Sequence, residues 1–137
     1  MDQFDYLITH FIDDNKWINK FDSFFAHHSE FVINNTHLEN IINKKIKPYT
    51  LNKLILKFIN FDFVPSNDSI IKILNKLKLN KDILYFVRIL LRSKKNKKII
   101  FDSDTFYTIS QKLKTMYNYN YYIWRIIHEK RYLITQN

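Results

Sequence analysis

The chain has 137 residues, no glycine, no cysteine, one alanine (Ala26) and two prolines (Pro48, Pro65), with a net charge of +9. Without glycine there is no Walker-type phosphate loop, no glycine-rich dinucleotide turn and no Asn-Gly or Asp-Gly hairpin, which counts against an antiparallel β protein. Without cysteine there are no disulfides and no thiolate metal sites.

Apolar spacing is helical along almost the whole chain. Phe4, Leu7, Ile8, Phe11 and Ile12 follow i, i+3, i+4, i+7, i+8 and predict a first helix. A second is expected from about Trp17 to Val32, with Phe21, Phe24, Phe25 and His28 inward. A short third carries Leu38, Ile41 and Ile42, and a fourth Leu51, Leu54, Ile55, Phe58 and Ile59. Ile70, Ile71, Leu74 and Leu77 mark a fifth; Ile83, Phe86, Val87, Leu90 and Leu91 mark a sixth. Phe106, Ile109, Leu113 and Met116 give a seventh, and Tyr122, Ile123, Ile126 and Ile127 the last. Start signals fall at Asn35 or Thr36, Asn67 or Asp68, and Ser103 or Asp104, while Pro48 and Pro65 sit between periods, where helices stop. The expected architecture is one all-α domain over 1–137, a compact bundle of about seven or eight short helices around the hydrophobic segment 83–91.

Charge is uneven. Residues 1–43 sum to −5 and residues 44–137 to +14. Of the 22 basic residues 18 are lysine, in a chain rich in Ile, Asn, Phe and Tyr, the residue set of A/T-rich codons. Part of the basic excess is therefore coding bias. No apolar run approaches the roughly 20 residues needed to cross a bilayer.

Candidate chemistry is sparse. His27 and His28 are adjacent and diverge by about 100° on a helix, so they cannot share one ion. His128-Glu129 lacks the second histidine of a helical zinc site, and His10 near Asp13 and Asp14 is an ordinary surface arrangement. The acid pairs Asp13-Asp14 and Asp102/Asp104 read as helix stops and starts. No catalytic residue, metal site or cofactor is expected, and the chain reads as a non-enzyme. One basic patch suits phosphates: Arg88 and Arg92 one turn apart, followed by Lys94-Lys95-Asn96-Lys97-Lys98. The aromatic cluster Tyr117, Tyr119, Tyr121, Tyr122 and Trp124 suits base stacking.

Two resemblances follow from these residues. Phe63-Val64-Pro65-Ser66-Asn67-Asp68-Ser69-Ile70 is echoed thirty-six residues on by Ser103-Asp104-Thr105-Phe106, and upstream by Phe31-Val32-Ile33. Tyr85-Phe86-Val87-Arg88-Ile89-Leu90 is echoed by Tyr122-Ile123-Trp124-Arg125-Ile126-Ile127. The period is similar to that of pentatricopeptide-type helical-hairpin repeats, which implies RNA binding.

Residues 113–125 and the hydrophobic segment 82–93 resemble the closing helix pair and the central helix of the poxvirus Bcl-2-like proteins, over roughly residues 36–131. That resemblance implies a viral inhibitor of host apoptosis or innate immune signalling, in the host cytoplasm or at the mitochondrial periphery. The expected partner is a pro-apoptotic Bcl-2 helix or an innate-signalling component, captured in a groove. The lining candidates are Leu54, Phe58, Ile71, Leu74, Ile83, Phe86 and Val87, with Arg88 pairing a ligand acid and Lys81 second to it. The Asn-Trp-Gly-Arg signature of the cellular members is missing. A homodimer would cover the aromatic excess, and a structural subunit of a larger assembly is the third reading.

Overall fold

The structure is a computed structural model that describes residues 3–92 and 99–135, with side chains to residue 128. The lysine run 94–98 lies outside the described residues. The fold is all-α, with eight helices and no strand among the described residues. They are α1 (Gln3–Thr9), α2 (Asn15–His27), α3 (Asn35–Ile42), α4 (Pro48–Asn60), α5 (Asn67–Lys76), α6 (Asn80–Leu91), α7 (Ser103–Leu113) and α8 (Tyr119–Thr135). The chain divides into two compact units, Met1–Phe63 and Val64–Asn137.

Helix starts recur regularly. Odd helices begin at 3, 35, 67 and 103, and even helices at 15, 48, 80 and 119. In the first unit α1 packs against α2 and α3, and α2 against α4. In the second, α7 packs against α5, α6 and α8, and α6 against α8. Odd thus packs on odd and even on even within each unit, the two-layer logic of stacked helical hairpins.

Six hydrogen bonds carry the same period. In the first unit, Lys44 Nζ donates to the Thr9 carbonyl, Lys47 N to Asp13 Oδ2 and Lys57 Nζ to Asp22, over 35, 34 and 35 residues. In the second, Arg88 Nε donates to Tyr122 Oη, Asp102 N to Asn67 Oδ1 and Arg125 Nη2 to the Leu91 carbonyl, over 34, 35 and 34 residues.

The first unit is built on phenylalanine. Phe4 is fully buried, and the rings of Phe21, Phe24, Phe25, Phe31 and Phe58 lie 4.8–6.1 Å from it. Such tilted and edge-on pairs add to the stabilisation from area burial. In the second unit the buried set is aliphatic, led by Ile70, Ile73, Leu74, Val87, Leu90, Ile109 and Ile126, with Phe86 and Phe101.

Several boundaries differ from the sequence expectation. α1 ends at Thr9, so Ile12 is exposed. α2 ends at His27, not Val32: a turn closed by Phe31 N on the His28 carbonyl folds the Phe31 ring back to 4.8 Å from Phe4. Val32 is left exposed, and His28, expected inward, is also exposed, its ring stacked on Phe24 at 4.3 Å. Pro48 starts a helix instead of stopping one: it takes the first position of α4, where its missing N–H costs nothing.

Candidate arginine–tyrosine cleft

The nine residues expected to line a groove separate by burial. Leu54 and Phe58 belong to α4 in the first unit, the other seven to α5 and α6 in the second. Leu54, Phe58, Leu74, Phe86 and Val87 are fully buried and Ile83 nearly so; these six are core. Their side chains sit on the inward faces of amphipathic helices, and the spacing that suggested a lining is the spacing that buries them. Ile71 is half-buried, while Lys81 and Arg88 are exposed.

The outer face of α6 holds the notable surface. Lys81, Tyr85, Arg88 and Arg92 follow i, i+4, i+7, i+11 and so share one side of the helix. The opposite side is held by Ile83, Phe86, Val87 and Leu90. In α8 the same dipeptide spacing recurs: Tyr85-x-x-Arg88 is matched by Tyr122-x-x-Arg125. Packing of α6 on α8 brings the two copies together in a cleft of about 450 Å³. Among the described residues it is lined by Tyr85, Arg88, Arg92, Tyr121, Tyr122 and Arg125, none of them acidic. Three of the chain's four arginines converge there, in a sequence that elsewhere uses lysine.

Two of these guanidinium groups are held from below. Arg88 Nε donates to the Tyr122 hydroxyl at 2.7 Å, and its carbon lies 5.9 Å from the Tyr122 ring centroid. Tyr122 is itself buried, so this bond satisfies a phenol that would otherwise lack a partner, and both groups are fixed in place. Arg125 Nη2 donates to the carbonyl of Leu91 at 3.2 Å, one of the α6 C-terminal carbonyls left without a helical partner. Its carbon stands 5.9 Å from the Tyr121 ring centroid, and Tyr121 meets Tyr122 edge-on at 5.2 Å. A guanidinium has five N–H donors in a rigid fork suited to phosphate or carboxylate oxygens. Anchoring Nε of Arg88 on the Tyr122 hydroxyl fixes the direction of the rest of its fork.

The aromatic surface continues along α8. Tyr121 and Trp124 are more than half exposed, His128 is exposed, and the Trp124 and His128 rings lie 4.4 Å apart. Tyr117, just before α8, is fully exposed.

The matching junction of the first unit is different. There α2 and α4 meet through Lys57, which donates to both carboxylate oxygens of Asp22 at 2.7 Å. A larger cavity of about 520 Å³ lies beside α1 and α2, next to Tyr6, Leu7 and Phe24. Its two histidines, His27 and His28, spend their Nδ1 atoms on the Ser23 and Phe24 carbonyls of the preceding turn. Among the described residues no group of three or more His, Cys, Asp or Glu could hold a metal ion, and no helix is long and apolar enough to cross a membrane.

The sequence singles out Arg88, Arg92 and the run 94–98 for phosphates and Tyr117, Tyr119, Tyr121, Tyr122 and Trp124 for bases; Arg88, Arg92, Tyr121 and Tyr122 line the cleft, Tyr117, Tyr119 and Trp124 are not in its lining, and 94–98 lies outside the described residues. Sequence reasoning missed Tyr85 and Arg125 as partners. The signal was present in the Tyr-x-x-Arg echo, which was read as a repeat and not as a site. Comparison with protein-family models, with curated proteins and with solved structures returns no match.

Proposed function

We propose that this chain is a non-enzymatic binding module of stacked helical hairpins that takes single-stranded nucleic acid, RNA foremost, on its second unit. The observation that carries the reading is the convergence of Arg88, Arg92 and Arg125 with Tyr85, Tyr121 and Tyr122 in one cleft. Arginines supply phosphate contacts, and exposed aromatic faces stack bases without regard to sequence. The 34- and 35-residue hydrogen-bond spacing supports the hairpin-repeat part of the reading.

A second reading is capture of a host partner helix by a Bcl-2-like viral inhibitor. It draws support from α6, whose Ile83, Phe86, Val87, Ile89, Leu90 and Leu91 are buried as a central apolar helix requires. The first reading is favoured because the surface of α6 offers arginine and tyrosine where that partner would need an apolar groove.

Fluorescence polarisation with a labelled single-stranded RNA and a labelled amphipathic peptide helix, each at two salt concentrations, separates the two. Nucleic-acid binding through three phosphate contacts lowers log K by about 2 per tenfold rise in salt. Tight peptide binding little changed by salt, with no RNA binding, favours the inhibitor. Absence of both leaves a structural subunit.

A further inference from the structure

We infer that the strand lies across the α6–α8 junction with its phosphates on an α6 row and its bases on an α8 row, and that Arg125 sets the two rows against each other as a positioning residue. This rests on the nucleic-acid reading above and narrows its ligand to strands with unpaired bases.

Three observations lead there. The first is the chemistry of the two helices. On α6, Lys81, Arg88 and Arg92 are exposed along one side, cations of the kind that meet phosphates. On α8 the exposed series is Tyr121, Trp124 and His128 at i, i+3 and i+7, rings of the kind that stack bases. At 1.5 Å per residue that series extends about 10 Å along the helix, room for two or three bases. Tyr121 joins the rows, since it also lines the cleft with Arg88 and Arg92.

The second is that Arg125, half-buried, is engaged by the protein itself. Its Nη2 donates to the Leu91 carbonyl at 3.2 Å, its carbon stands 5.9 Å from the Tyr121 ring centroid, and it has a further interaction besides these. The Leu91 carbonyl ends α6, where the helix dipole favours a cation. A guanidinium at that distance also attracts the ring face. Arg125 therefore ties the end of the phosphate row to the first ring of the base row. The third is recurrence. In the first unit Lys57 of α4 reaches back to Asp22 of α2, so in each unit a basic side chain of the later even helix fastens the earlier one.

The test uses the full chain and two labelled ligands of one length, a single-stranded RNA and an abasic oligonucleotide with the same number of phosphates, read by polarisation across a salt series. Arg92→Gln, at an exposed position, is expected to weaken both ligands and to make the fall of log K with log salt shallower by about 0.7. Trp124→Ala, also exposed, should weaken the RNA by about fivefold or more and leave the abasic strand within about twofold. Arg125→Gln should weaken the RNA by about threefold or more with the salt slope unchanged, again sparing the abasic strand. Arg125→Lys, which keeps a donor and a cation for the Leu91 carbonyl, should restore RNA binding.

A shallower salt slope in Arg125→Gln makes Arg125 a phosphate ligand and overturns the inference. Equal weakening of both ligands by that substitution makes its role merely structural and overturns it too. Trp124→Ala and Arg92→Gln decide the placement of the strand even where Arg125→Gln does not fold: equal effects of Trp124→Ala on the two ligands overturn it. In each of these cases the nucleic-acid reading survives. Failure of the unaltered chain to bind either ligand overturns both.

Discussion

Asp62 shows how a chain without glycine ends a helix. After α4 the Asp62 N–H reaches the Ile59 carbonyl and the Phe63 N–H reaches the Phe58 carbonyl, both at 3.0 Å. This is the Schellman arrangement, completed by an edge-on contact of the Phe58 and Phe63 rings at 6.2 Å. The position that usually holds glycine is Asp62, at φ 65°. A side chain there costs up to about 1–2 kcal/mol, less for Asp than for bulkier residues. Asp62→Gly is therefore expected to stabilise the protein by about 0.5–1 kcal/mol, and Asp62→Val to destabilise it by about 1–2 kcal/mol. Urea unfolding followed by circular dichroism reads both. At the same scale, Tyr122→Phe removes the acceptor that orients Arg88. It should cost about 1 kcal/mol of stability and weaken RNA binding several-fold, as measured by melting and polarisation on the same samples.

At the scale of elements, apolar periodicity located all eight helices because each buries one face in a core of large residues. Their starts were displaced by one residue for a specific reason. Asn34-Asn35-Thr36, Ser66-Asn67-Asp68 and Asp102-Ser103-Asp104 each offer three capping residues in a row, and the structure uses the first. An N-cap residue has extended backbone angles and lies outside the helix, so the earliest competent side chain takes the role. The end of α2 was not legible, since what stops it is the return of Phe31 to a ring cluster built from three helices. That cluster makes Phe4 the critical residue of α1, a helix of only seven residues. Phe4→Ala is expected to cost about 3–5 kcal/mol, seen as a large fall in the denaturation midpoint, whereas Tyr6→Ala on the outer face should change it little. For the candidate groove, periodicity marks which residues are inward but not whether anything is open beside them.

At the scale of the molecule, the first unit, 1–63, carries a net charge of −1 and the second, 64–137, carries +10. Asp22 closes the even-helix junction of the first, and arginines leave that of the second positive. Composition alone could not separate this from A/T-rich coding bias; the structure adds that three of the four arginines line one cleft. The most direct measurement is photo-cross-linking of the full chain to a bound single-stranded RNA, with the adducts mapped by mass spectrometry. The account predicts adducts at Tyr85, Tyr121, Tyr122 or Trp124 that disappear in the Arg88→Gln protein. Adducts confined to peptides of α1 to α4, or unaffected by that substitution, would contradict it.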